Sequence, residues 1–140
     1  ALWTSERRKM PKLYRELAIL RTGFAGGSRF VFSQHSKFSR AAGLSEEKVA
    51  AVPAWTSAEA FDAKERAVLG YVDAVVRGGP VSETVRRVLE AELSASEIVG
   101  LTMLIGLAWT ETAIAGGFAL PTEQTFVGWE LYRGVAGVTL

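Results

Sequence analysis

Residues 12–44 read KLYRELAILRTGFAGGSRFVFSQHSKFSRAAGL, and this stretch predicts a hairpin of two helices. Its first half places apolar side chains three and four positions apart, which is typical of one face of an α-helix running from about Lys12 to Phe24. The pair Gly26-Gly27 ends that helix, and Ser28 is a typical N-cap for the next one. Because only a few residues join the two helices, we expect them to pack antiparallel. The apolar or aromatic stripe of the second helix, which Gly43 ends, is Val31, Phe32, His35 and Phe38.

Capping and stop signals continue along the chain, and no segment shows the sustained alternation of a β-strand. Asp62 with Glu65 forms a capping box for a fourth helix that reaches about Arg77. The fifth helix should reach about Leu93, and the sixth is long and apolar. The expected N-caps are Ser28, Ser45, Asp62, Ser82 and Ser96, and the expected stops include Gly43, Pro53 and Gly78. The sequence therefore predicts an all-α fold of about six helices in a single domain, residues 1–140.

The sixth helix contains thirteen residues, Ile98 to Thr110, without a formal charge. A membrane span needs about 20 apolar residues, so we expect a buried central helix and no membrane association. The opening residues, ALWTSERRKM, hold no apolar run of signal-peptide length, which favours a cytoplasmic protein. The aromatic residues of the tail are expected to wrap a neighbouring subunit or to fray, and they are Phe126, Trp129 and Tyr132.

Composition restricts the possible chemistry. The 140 residues include no cysteine and one histidine, which excludes disulfides, cysteine-ligated metals, thiol nucleophiles and a multi-histidine metal site within one chain. The net charge of +1 does not favour a nucleic-acid partner. Residues 1–40 nevertheless carry nine basic and two acidic side chains, so this part is strongly positive. That face can steer an anionic substrate, dock on another subunit, or simply be solvated.

His35 is the main candidate for catalysis, and Glu16 is its candidate partner. Glu16 lies on the apolar stripe of the first helix, where a carboxylate should be paired or functional. The two residues lie at similar distances from the glycine turn, so an antiparallel hairpin brings them close enough to meet. A carboxylate fixes the tautomer of an imidazole, which suits a general base. The alternatives are a packing role for His35 and ion pairs of Glu16 with Lys12 or with a neighbouring chain.

Several segments occur in the order typical of a known family: RELAILRTG, FSQH, RAAGLSEEKVAAV, ERAVLGYVD and SEIVGLTMLIG. Over residues 13–120 the chain resembles the carboxymuconolactone decarboxylase and alkylhydroperoxidase D-like superfamily. The resemblance implies an alkylhydroperoxidase D-like helical bundle that forms homotrimers or homohexamers, with sites close to subunit interfaces.

In the peroxidase branch of that superfamily a glutamate precedes a Cys-x-x-Cys motif and a histidine. The resemblance places the glutamate at Glu16, the cysteines at Ser28 and Val31, and the histidine at His35. Both thiols are absent, which excludes a thiol peroxidase that cycles through a disulfide. In the decarboxylase-like branch a glutamate occupies the position of Val31 within a Tyr-Glu-Trp motif, and here this motif is Phe30, Val31 and Phe32.

These residues favour a lyase or isomerase without cofactor or metal that moves protons on a small, largely apolar carbonyl, lactone or carboxylate compound. His35 and Glu16 would be catalytic, and Ser28 would bind an oxyanion. Glu111 is a second acid candidate, and Arg21 either clamps a substrate carboxylate or pairs across helices. The expected substrate-binding residues are Ser28, Val31, Phe32, Arg21, Ser39 and Trp109. The alternatives are a non-catalytic ligand-binding or scaffolding oligomer, and a module that binds a partner through the basic N-terminal face.

Overall fold

The computed structural model describes residues 10–120, and within them the chain forms six α-helices and a 3₁₀ turn. The charged start of the chain and the aromatic tail residues Phe126, Trp129 and Tyr132 lie outside the described residues. The helices are α1 (Lys12–Ala25), α2 (Arg29–Ala41), α3 (Glu46–Ala51), α4 (Ala63–Arg77), α5 (Glu83–Glu92) and α6 (Ala95–Gly117), and the 3₁₀ turn is Val52–Ala54. The all-α class predicted from the sequence is confirmed.

Side-chain caps start helices α2 to α5 at the predicted places, whereas α1 has no side-chain cap and α6 is capped elsewhere than predicted. The hydroxyl of Ser28 accepts a hydrogen bond from the backbone N–H of Val31, and Asp62 and Glu65 form both bonds of a capping box. Gly78 ends α4 in the left-handed conformation (φ 67°), which glycine adopts without strain. The prediction that Ser96 caps α6 is wrong, because Ser94 forms a capping box with Glu97.

Helix α1 is the centre of the bundle, with α2, α4 and α6 packed around it. Its buried residues Leu17 and Leu20 belong to a core that also contains Phe32 of α2 and Leu101 of α6. A smaller buried cluster lies where α1, α2 and α6 meet, and it consists of Ile19, Val31, Leu104 and Ala108. The predicted antiparallel hairpin is therefore held from both sides by apolar packing.

Helix α6 is buried on one face only. Its inner residues, which include Leu101, Ile105 and Ala108, lie in the core. The opposite face is exposed, and a third of the most apolar 18-residue window is buried. Within residues 10–120, α6 is the one helix whose length and apolar composition would allow it to cross a membrane. The core helices of soluble proteins can meet the same two criteria. The prediction of a buried central helix therefore holds for the inner face and is wrong for the outer one.

Candidate active site

Glu16 of α1 and His35 of α2 form a hydrogen-bonded pair. The Nδ1 atom of His35 lies 2.8 Å from Oε2 of Glu16, and the two side chains are 19% and 16% exposed. This separation is typical of a charge-assisted hydrogen bond. In the tautomer with its proton on Nδ1, the ring donates this hydrogen bond to Oε2 of Glu16 and keeps a lone pair on Nε2. The contact expected from the hairpin is present, and the pair is still partly open to solvent.

An aromatic ring lies beside the imidazole. Phe38, one turn after His35 on α2, contacts it edge-on, with ring centroids 5.4 Å apart and an angle of 66° between the ring planes. The phenyl ring is itself 56% exposed, so it presents apolar surface to solvent next to the imidazole. Sequence reasoning did not assign Phe38 to the site, although its spacing of three residues from His35 is the signal that places the two on one helix face.

Ser28 and Val31, the positions of the two cysteines in the peroxidase branch, are buried and have structural contacts. Ser28 uses its side-chain oxygen to cap α2. Val31 packs closely against α1: a Cβ atom on Gly23 would lie 2.8 Å from its Cγ1 atom. Ser28 also lies seven residues before His35, or about 10 Å along the helix axis. The expected oxyanion donor therefore caps its own helix about two turns before the imidazole.

Phe32 and Ser39, two further expected substrate contacts, are also turned into the protein. Phe32 has no exposed surface and belongs to the main core. Ser39 is fully buried, and its hydroxyl donates a hydrogen bond to the carbonyl of Ser36. Within one chain, these side chains support the hairpin and do not line an open site.

Arg21 lies on another side of α1, and it pairs across helices. Its Nε atom donates to Oδ1 of Asp73 at 2.7 Å, and its Nη2 atom donates to Oδ2 at 3.2 Å. The remaining Nη1 atom donates to the carbonyls of Val52 and Pro53 in the 3₁₀ turn. Trp55 also donates its indole N–H to Asp73, at 3.1 Å. Of the two predictions for Arg21, the structure therefore favours the ion pair over the carboxylate clamp, and Asp73 is the partner that sequence reasoning missed.

Trp109 and Glu111 do not join the pair in this chain. Trp109 lies over the turn of the hairpin, where a Cβ atom on Gly26 would be 3.2 Å from its ring. Glu111 is exposed on α6 and directly follows the thirteen-residue uncharged stretch that ends at Thr110. Residues 10–120 contain no group of three acidic, histidine or cysteine side chains arranged to hold a metal ion.

Comparisons with known proteins agree with this fold. The model of the carboxymuconolactone decarboxylase family matches residues 1–74. A solved structure from Agrobacterium tumefaciens, a protein of unknown function suggested to be the antioxidant defence protein AhpD, is 32% identical. The match covers 80% of this chain and 78% of that one, with a TM-score of 0.73. No curated protein matches the sequence significantly. Because the family model spans more than half of its length, the chain belongs to the carboxymuconolactone decarboxylase family.

Proposed function

We propose that this protein is a cofactor-independent lyase or isomerase that transfers protons on a small, largely apolar carbonyl, lactone or carboxylate compound. The observation that carries the proposal is the 2.8 Å contact between Nδ1 of His35 and Oε2 of Glu16 in a partly exposed position. An imidazole oriented by a carboxylate, with its other nitrogen available, is the arrangement that general acid–base catalysis uses.

In the proposed reaction His35 is the catalytic base and Glu16 is its positioning residue. Nε2 takes a proton from the carbon next to the substrate carbonyl, and the electron pair of the C–H bond moves onto the carbonyl oxygen. Glu16 stabilises the imidazolium that forms, because it already accepts the Nδ1 proton. The electron pair then returns from the oxygen. In an isomerisation of a β,γ-unsaturated compound it moves the double bond to the α,β position, and His35 gives its proton to the γ-carbon. In a lactone elimination it forms a C=C bond while the C–O bond at the β-carbon breaks, and His35 gives its proton to the leaving oxygen.

The surroundings of the pair favour an apolar substrate. Phe38 exposes its ring next to the imidazole, whereas Arg21 is held by Asp73. One chain alone contributes few walls around His35, because Val31, Phe32 and Ser39 face its core. We therefore also propose that the protein acts as a cytoplasmic homo-oligomer, a trimer or a hexamer, in which another subunit completes the pocket. Nucleic acid and membrane have no part in this proposal.

Proton exchange tests the chemistry without knowledge of the complete reaction. The protein is incubated in D₂O with a panel of small lactones, ketones and keto acids, and ¹H NMR follows the loss of the signals next to the carbonyl. We expect accelerated exchange for at least one compound, and a loss of about 100-fold or more in His35→Gln, since a general base contributes about 10²–10⁴. Gln34→Ala, on the same helix, is the matched control and should retain the rate.

The state of the single histidine gives a second, independent readout. In ¹⁵N NMR the neutral ring of His35 should carry its proton on Nδ1, and Glu16→Ala should move that proton to Nε2. Equal exchange rates in wild type and His35→Gln would refute the proposed base. An unchanged tautomer in Glu16→Ala would refute the role of Glu16.

The second candidate function is ligand binding without catalysis. It is favoured by the internal contacts of Ser28 and Val31, which occupy the positions of the chemically active residues of the peroxidase branch. In that case the same compounds shift the His35 ring signals without any proton exchange. That combination would exclude the enzyme and establish the binding protein.

A further inference from the structure

Phe38 is the one phenylalanine of α2 that takes no part in either core cluster. Phe32 belongs to the main core, and Phe30 packs against the smaller cluster. Phe38 is instead 56% exposed, although a covered aromatic side chain removes about 150–250 Å² from water. Its contribution to the fold is therefore small, and replacement of its ring should leave the structure intact.

What distinguishes Phe38 from other exposed apolar residues is its contact with His35. Single apolar side chains are common on protein surfaces and have no meaning by themselves. The phenyl and imidazole centroids, however, lie 5.4 Å apart with an angle of 66° between the ring planes. This distance is within the range of about 4.5–7 Å that aromatic pairs favour. Phe38 therefore lies directly beside the ring that the proposed function uses as its base.

At least one face of the phenyl ring is open. In an edge-to-face pair the imidazole meets either the edge of the phenyl ring or one of its two faces, so the other face is left. Within residues 10–120, His35 is the only ring that contacts Phe38. The exposed fraction of the side chain agrees with a free face. A flat apolar surface therefore borders the imidazole.

The imidazole is held with one nitrogen left for a substrate. Its Nδ1 atom is bound to Glu16 at 2.8 Å, so Nε2 of His35 is the atom that can take a proton, over about 3 Å. Phe32 has no exposed surface, and Trp109 lies at the turn of the hairpin. Within residues 10–120, Phe38 is therefore the aromatic surface against which a ring of the substrate can pack.

We propose that Phe38 determines the specificity of the proposed reaction by stacking on a planar, conjugated ring of the substrate. The substrate is then a ketone, lactone or keto acid that carries an aromatic ring, and not its saturated counterpart. Phe38 contacts the substrate ring and takes no part in the proton transfer itself. It acts in this way only if His35 is the base, so the inference rests on the proposed function.

The electrostatics of the phenyl ring decide between an aromatic and a saturated ring. Removal of apolar surface from water is non-directional, so it favours phenyl and cyclohexyl groups to a similar extent. Only the phenyl group adds the attraction between ring quadrupoles, which raises binding about 2- to 12-fold beyond the gain from burial. Leucine in place of Phe38 would keep apolar surface and lose this attraction. The preference between the two groups therefore isolates the role of the ring.

Two ketones that differ only in ring saturation test the proposal. They are 4-phenylbutan-2-one and 4-cyclohexylbutan-2-one, whose acidic C–H groups are separated from the ring by a methylene and so have nearly the same acidity. ¹H NMR measures their proton exchange in D₂O, and the His35 ring signals give the dissociation constant of each ketone. Wild-type protein should favour the phenyl compound, and Phe38→Leu should reduce that preference about 2- to 12-fold. Phe38→Tyr, which retains an aromatic ring, should keep it.

Phe118→Leu is the control, because it makes the same change at an exposed phenylalanine at the end of α6 and should leave the preference unchanged. An unchanged preference in Phe38→Leu with native circular dichroism would overturn the proposal, and so would failure of both ketones to bind. A lower assembly mass of Phe38→Leu by light scattering, without a change in preference, would place the ring against another subunit and also overturn it. A preference in binding without any exchange would support the role of Phe38 and refute the chemistry, whereas exchange without a preference would do the opposite.

Discussion

Replacing Asp73 by alanine should destabilise the fold by about 3–5 kcal/mol, the cost of removing one partner from a buried ion pair. Asp73 and Arg21 are only 9% and 14% exposed, and the pair joins α4 to α1 through two hydrogen bonds. Without the carboxylate, Nε and Nη2 of Arg21 and the indole N–H of Trp55 lose their acceptor, and only Nη1 of Arg21 keeps its bonds to backbone carbonyls. Within residues 10–120 Arg21 contacts no other acidic group, so little compensation is expected.

The neighbouring Arg77 provides the control. It also reaches Asp73, at 3.4 Å, but its side chain is 73% exposed. A surface ion pair of this kind contributes about 0–1 kcal/mol. Arg77→Ala should therefore leave stability nearly unchanged, although it also removes a positively charged partner of Asp73.

Urea unfolding followed by far-ultraviolet circular dichroism, at one protein concentration, measures these differences. Asp73→Asn keeps an acceptor without the charge and should fall between wild type and Asp73→Ala. A loss below about 1 kcal/mol in Asp73→Ala, or an equal loss in Arg77→Ala, would refute a structural role for the buried pair. It would also reopen the prediction that Arg21 is available to a substrate carboxylate.

Three other predictions concern the hairpin. Ser28→Ala should cost about 1 kcal/mol through the lost cap, and Ser28→Asp should restore most of it, both measured by urea unfolding. Gly23→Ala should cost about 1–2 kcal/mol, since overpacking against Val31 exceeds the gain of about 1 kcal/mol in helix propensity. In the double variant Gly23→Ala/Val31→Ala the smaller side chain should relieve that clash. If the stability losses of the two single variants simply add in the double variant, the close approach of the helices is contradicted. Burial, and then the negative charge of Asp62, raise the pKa of the Tyr14 phenol above its ordinary value. As pH rises, the Tyr14 phenol therefore ionises in the unfolded chain before it does so in the folded protein. Its contribution to stability is fully present below about pH 10 and is lost as pH rises through the pKa of the folded state. Tyr14→Phe should abolish this loss.

Much of the fold was predictable because the relevant interactions are local. The caps of α2 and α4 act within three residues of Ser28 and Asp62, and Gly78 ends α4 through its own backbone conformation. The same locality explains the error at α6. Both Ser94 and Ser96 can cap a helix, and Glu97, three residues after Ser94, is the signal that decides between them.

The candidate site was predictable only in part, for the same reason. The contact of Glu16 with His35 follows from a short hairpin, because the two residues lie at similar distances from its turn. The arrangement of Arg21 does not, because its partner Asp73 is 52 residues away on another helix. No pattern within α1 indicates which way that guanidinium turns.

By itself, the sequence determined the all-α class and most helix ends, since these depend on spacing along one or two neighbouring helices. It placed Glu16 and His35 within possible reach of each other but left other partners open. Only the tertiary structure decided which apolar residues are covered. Val31 and Leu107 are similar side chains, yet Val31 is buried against Gly23 whereas Leu107 is half exposed on α6. Burial depends on how distant segments pack, and the apolar pattern of α6, nearly uniform around the helix, carries no information about which face the rest of the chain will cover.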